Sequence, residues 1–186
     1  HFGRFADKRY DLFGIPLAAP ISVGLPLQHR GDRGIYATFD QQIWRPSEAK
    51  EDAANGIFVY GRISRVPSDR NFISFYFDGG VNFVGVVPGR PNDQFGFMGA
   101  HARISPRVQG ADFDTNVYSA TFGPIHDHET LLQATYQFQV VPGWSLQPNI
   151  QYVIHPGGHV VDPYDPLGQR AVRNALVIGL RSSIKY

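Results

Sequence analysis

From Thr130 to Val161 the chain carries no Asp, Glu, Lys or Arg, a length that matches a membrane helix until the spacing is read. Gln133, Thr135, Gln137 and Gln139 fall at every second position, and Leu132, Ala134, Tyr136, Phe138 and Val140 fill the places between. A period of two puts these sets on opposite faces of a strand. Past Val141-Pro142-Gly143, Leu146, Ile150, Tyr152 and Ile154 alternate with Gln147, Asn149 and Gln151, so the segment predicts an antiparallel hairpin. From Ala175 to the end, Leu176, Ile178, Leu180, Ile184 and Tyr186 share one face, and Arg181, Ser183 and Lys185 the other.

The same alternation recurs upstream. Ile35, Ala37, Phe39 and Ile43 oppose Thr38, Asp40 and Gln42; Ile57, Val59 and Ile63 oppose Tyr60, Arg62 and Ser64. Ile73, Phe75, Phe77, Val81 and Phe83 oppose Ser74, Tyr76, Asp78 and Asn82; Met98, Ala100, Ala102 and Ile104 oppose His101, Arg103 and Ser105. The pattern predicts seven strands of roughly 10 to 12 residues, about the length a tilted strand needs to cross a bilayer and longer than the soluble average. Asp40, Arg62, Asp78, Arg103, Arg181 and Lys185 all fall on the polar faces. Links alternate in length as in a membrane barrel. Pro156 to Asn174, Pro106 to His128 and Phe5 to Arg33 are long and share a side with the shorter Val66 to Asn71. Val141 to Ser145, Val84 to Gln94 and Arg45 to Asn55 lie opposite. With a periplasmic C-terminus the long set faces outward, and Trp44, Phe83, Phe95, Trp144 and Tyr186 form an aromatic girdle at the inner rim.

Composition supports this class. Gly 20 and Pro 14 supply turns, Phe 14, Tyr 9 and Trp 2 supply large rings, and charged residues are only 18%. Mean hydropathy is nevertheless -0.22, because the polarity comes from uncharged side chains. A net charge of +1 is too balanced for the basic field that nucleic acid requires. With Cys 0, disulfides, thiolate metal sites and cysteine nucleophiles are excluded. The chain starts at His1 without an initiator Met or signal-peptide pattern, and reads as a fragment of a longer protein.

Several segments resemble the C-terminal part of the OprB-type carbohydrate-selective porins. These are His29-Arg30-Gly31 leading into Gly34-Ile35-Tyr36-Ala37 and Trp44-Arg45-Pro46; Ser68-Asp69-Arg70-Asn71 before Phe75-Tyr76; and Val87-Pro88-Gly89-Arg90-Pro91-Asn92-Asp93. Thr135-Tyr136-Gln137 through Leu146-Gln147-Pro148 to Gln151-Tyr152-Val153-Ile154-His155-Pro156-Gly157-Gly158, and the closing Asn174-Ala175-Leu176-Val177-Ile178-Gly179-Leu180-Arg181, complete the set. The resemblance covers nearly the whole chain. It implies an all-β fold, a transmembrane antiparallel barrel of sixteen strands represented here by its last seven, with residues 1–186 a portion of one barrel domain. It also implies a Gram-negative outer membrane, passive diffusion of monosaccharides such as glucose, no cofactor and no covalent chemistry. The missing N-terminal half would complete the barrel and hold the constriction.

A sugar pore needs donors and acceptors that replace water around hydroxyls. Asp40, Arg62, Asp78, Asn82, Arg103, Gln133, Gln137 and Arg181 are the lumen candidates, with Tyr60 or Tyr76 to stack on a sugar ring. Asp78 with Arg62 or Arg103 is the expected cross-strand ion pair. Tyr186 fits an assembly signal for the barrel-assembly machinery. Partners are then small sugars and outer-membrane lipid, with homo-oligomerisation left open. His126-Asp127-His128, and His155 with His159 and Asp162, lie in loops beside Pro and Gly; they read as solvated, and no metal is expected. No nucleophile elbow or phosphate-cradling loop is present. The alternatives are a soluble all-β sugar-binding protein and a barrel fragment without function.

Overall fold

The computed structural model describes residues 2–46 and 55–185. Its frame is a seven-stranded antiparallel meander in which each strand pairs with the next in sequence. The strands are β3 (Ile35–Trp44), β4 (Gly56–Arg65), β5 (Ile73–Val84), β6 (Gln94–Ile104), β7 (His128–Val141), β8 (Trp144–Ile154) and β9 (Ala175–Ile184). The alternation of apolar and polar residues dictates these strands, and β7 turns into β8 through Pro142-Gly143. Gly143, at φ 87, supplies the positive φ that a Pro-Gly turn needs at its second central residue.

Two features were not expected. Inside the long link before β3, β1 (Arg4–Asp11) and β2 (Pro26–Arg30) form a separate two-stranded sheet. The link after β6 folds into helix α1 (Pro106–Ser119). Ser105 caps it by accepting from the Val108 amide at 3.4 Å, with Pro at its first turn, where a missing N–H does no harm. Its apolar residues do not make one stripe, so only Val108 and Asp114 are buried while Phe113, Val117 and Tyr118 stay exposed. After β8 a short turn, α2 (Pro156–His159), begins the last long link.

The links sort onto two ends of the sheet. The hairpin β1–β2, residues 66–72, α1 and α2 belong to one end; β3 ends and β4 begins at the other, where residues 85–93 and 142–143 also connect strands. Most buried residues sit at the long-link end: Ala19, Ile104 and Val108 among apolar residues, with Asp7, Asp11, Ser74, Ser105 and Asp114. The sheet has no core of its own. On its apolar face Ile178 is 76% exposed, Ile35 75% and Leu180 69%, with Phe97 and Ile150 also exposed. A water-soluble sheet covers such a face; among the described residues nothing covers this one.

Candidate functional site: the polar face of the sheet

Directly opposed residues in an antiparallel pair point to the same face, so the register assigns every side chain. Arg62 opposes Asp78 across β4 and β5, and its Nε lies 2.7 Å from Asp78 Oδ1. The Arg62 guanidinium also sits 5.1 Å from the Tyr76 ring centre and donates to its hydroxyl at 3.4 Å. Tyr60 opposes Asp40 on β3 and Gly80 on β5. A Cβ on Gly80 would lie 2.8 Å from the Tyr60 hydroxyl, so glycine lets the phenol lie close against the wall. Asn82 likewise lies over Gly96. Arg62, Asp78, Tyr76, Tyr60, Asp40 and Asn82 therefore form one continuous patch over β3–β5.

A second patch covers β7–β9. Gln133 opposes Gln151 and accepts from its amide at 3.0 Å. Gln147 donates to Thr135 Oγ1 at 3.0 Å and opposes Arg181. Gln137 opposes Gln94 on β6. Gln147, Asn149, Gln151 and Glu129 thus join the site. The first three alternate with apolar neighbours and were legible as a polar face; Glu129 lies on the same register toward the long-link end. Between the patches, β6 presents Gly96, Met98, Ala100 and Ala102.

That register corrects the sequence reading of β6. Asp78 opposes Ala100, whereas Arg103 opposes Phe75 and His128. Arg103 therefore lies on the apolar face, away from Asp78 and the other lumen candidates. It lines a cavity of about 580 Å³ at the long-link end with Arg33 and Arg65. Glycines and alanines on both sets of β6 positions left the phase ambiguous, and a one-residue slip turns every side chain over. The structure places four of the five residues expected in the girdle at one end of the sheet. Phe83 and Phe95 stack at 4.4 Å near the short-turn end, where Trp44 and Trp144 also lie. Tyr136 and Phe138 extend this band. Tyr186 lies outside the described residues.

Carboxylates anchor both ends. In the link between β5 and β6, Arg90 donates backbone N–H to Val87 at 3.0 Å, closing the turn. Asp93, 3% exposed, accepts from the Tyr136 hydroxyl at 2.7 Å, the Gln139 amide at 3.0 Å and Arg90 at 3.2 Å. Burial pushes the Asp93 carboxyl up, but these donors together hold it below the usual range. At the other end Arg9 forks onto Asp114 of α1 at 2.7 and 2.9 Å. Asp7 accepts from His29 at 2.8 Å and from the Arg9 and Tyr10 amides. Burial raises its pKa, and His29, those amides and Arg107 outweigh it, leaving it lowered. Asp69, paired with Arg70 at 2.8 Å, is also lowered, chiefly by that bond. With Asp69 also 3.6 Å from His29 and the Lys8 amide donating to its carbonyl at 2.8 Å, the hairpin, the 66–72 link and α1 are tied into one cap.

A family model described as carbohydrate-selective porin, OprB family, matches residues 1–186. Porin B of Pseudomonas aeruginosa is 26% identical over 170 residues, covering 85% of this chain and 34% of that protein. A putative porin, QuiX, of Acinetobacter baylyi is 27% identical over 113 residues, covering 56% of this chain and 24% of that protein. The fold is similar to a solved high pH structure of Pseudomonas putida OprB, with a TM-score of 0.82 and 22% identity, over 98% of this chain and 42% of that one. The chain spans about a third or less of the curated relatives it matches.

Proposed function

Because the chain belongs to the OprB family of carbohydrate-selective porins, we propose that it forms the C-terminal strands of a single barrel in a Gram-negative outer membrane, through which monosaccharides such as glucose diffuse passively. The observation that carries this is the separation of faces: an exposed apolar face for lipid, and a polar face of Arg, Asp, Gln, Asn and Tyr for the lumen. The family is one of channels, and the chemistry is non-covalent. Among the described residues β3 and β9 end the sheet as unpaired edges. Lipid does not satisfy backbone N–H and C=O groups, so the remaining strands of the protein close the barrel against them. The long-link end with its polar cap faces outward and the aromatic band marks the periplasmic interface. Tyr186, two residues beyond β9 in sequence, serves as the signal for the barrel-assembly machinery.

On the polar face Arg62 and Asp78 offer charge-assisted donors and acceptors to sugar hydroxyls, and Tyr60 and Tyr76 offer ring faces. The glutamine ladder continues the path with neutral partners. Each exchange with water is nearly balanced, which lets the solute leave as readily as it enters.

The test is solute entry into liposomes carrying the intact protein, followed by swelling. Monosaccharides should enter faster than uncharged non-sugar solutes of equal size. Equal rates would make the pore unselective, and no entry would remove the channel reading.

A further inference from the structure

Two histidine-bearing segments far apart in sequence converge at the long-link end. Asp127, just before β7, places Oδ2 2.9 Å from His155 Nδ1, 3.5 Å from His128 Nδ1 and 3.8 Å from His159 Nδ1. One ligand atom each from Asp127, His155 and His159 lie within 4.8 Å of one another. The His155 and His159 rings stack at 4.3 Å, and His128 lies 4.8 Å from His155. Asp162, grouped with these histidines in the sequence, instead accepts from the Tyr164 amide.

We infer that Asp127, His155 and His159, with His128 as a fourth donor, bind a divalent transition-metal ion of the zinc class, clasping the link after β6 to the link after β8. Two or three imidazoles and one carboxylate form a borderline donor set that suits zinc, nickel or copper, whereas calcium and magnesium favour all-oxygen shells. Zinc–nitrogen bonds of about 2.0–2.1 Å require donors roughly 3.3 Å apart in a tetrahedron, so on binding the His155 and His159 rings turn out of their stack and draw in toward Asp127. The side chains are about a third exposed, 31% for His155, 36% for His159 and 37% for Asp127, so the ion enters from solvent.

The backbone is shaped for this convergence. His155 at φ 50 and His159 at φ 74 both lie in the left-handed region, which non-glycine residues adopt only when their surroundings hold them. The Asp127 amide donates to the Gly158 carbonyl at 3.0 Å, and the His155 amide to Asn174 Oδ1 at 3.0 Å. These bonds lock the curl that puts both imidazoles on the Asp127 side.

Zinc ion alone, titrated calorimetrically into the intact, chelator-treated protein in detergent, should show one site. Asp127→Asn and His155→Asn should each weaken it at least tenfold, Asn being chosen at 155 because it tolerates positive φ, while His29→Gln, at a histidine held by Asp7 and Asp69 in the cap, leaves it unchanged. Copper bound to the unaltered protein should show nitrogen couplings from imidazole by electron paramagnetic resonance, a readout that does not depend on any variant folding. Absence of stoichiometric zinc uptake, equal affinity in folded variants, or copper without nitrogen couplings would overturn the site and leave Asp127 as a hydrogen-bond acceptor only. None of these outcomes depends on sugar passage.

Discussion

Ile150 and Gln151 are neighbours on β8 that the register sends to opposite faces, so placing lysine at each in turn separates lipid from lumen. Ile150 opposes Ala134 on one side and Ile178 on the other and is 45% exposed. It lies six residues past Trp144; at about 3.4 Å per residue and a tilt near 45°, that is about 14 Å above the aromatic rim, close to the middle of an apolar band about 25 Å tall. A lysine there costs about 2–4 kcal/mol in a barrel. Gln151 to lysine removes one amide bond to Gln133, worth about 0.5–1.5 kcal/mol, and leaves the new charge in water. Ile150→Lys should therefore destabilise the intact barrel by about 2 kcal/mol more than Gln151→Lys, read as the shift of the denaturant unfolding midpoint in lipid vesicles. Equal shifts, or a larger one for Gln151→Lys, would refute the assignment of faces.

Other outcomes follow from the same geometry. Arg62→Ala or Asp78→Ala should alter sugar flux and ion preference while the barrel still assembles, since the bond joins two strands already paired along their length; conductance and gel mobility of both variants check this, and unchanged flux in both would remove the pair from the path. Asp93→Ala strands the Tyr136 hydroxyl and Gln139 amide, and should destabilise the barrel by about 1–3 kcal/mol, read by denaturant titration. The lowered Asp7 carboxyl stabilises the β1–β2 hairpin above its unfolded pKa of about 3.9, and this contribution is lost as pH falls through its folded value. Protection of hairpin amides, corrected for intrinsic exchange, should thus fall below about pH 4; protection that rises on acidification contradicts this.

The strands were readable because each needed only local contrast between neighbours: Leu132 against Gln133, Phe77 against Asp78, Ile178 against Arg181. The Arg62–Asp78 bond was readable for the same reason, since adjacent strands with matching phases bring opposite charges together. Where contrast failed, so did the reading. Gly96, Gly99, Ala100 and Ala102 blur β6, and only its hydrogen-bonded register places Arg103 opposite Phe75 and His128. The hairpin β1–β2 is organised by bonds from backbone amides to carboxylates instead of periodicity. Asp11 alone accepts from the Phe13, Ile15 and Val23 amides and the Ser22 hydroxyl. α1 carried a start signal in Ser105-Pro106 but no apolar stripe to extend it. The meeting of Asp127 with His155 and His159 depends on how two links fold back over neighbouring strands, which no spacing within either link encodes.

If the polar face lines the sugar path, as proposed, the absence of cysteine from this chain permits a direct measurement. Gln133→Cys and Leu132→Cys, introduced separately into the intact protein in membranes with no other reactive thiol, are exposed to a bulky, water-soluble thiol reagent while sugar entry is followed. Labelling of Gln133→Cys should proceed quickly, slow in the presence of glucose and reduce sugar entry, whereas Leu132→Cys, held against lipid, should stay unlabelled with entry unchanged. Rapid labelling of Leu132→Cys, or full labelling of Gln133→Cys with undiminished sugar entry, would contradict the account.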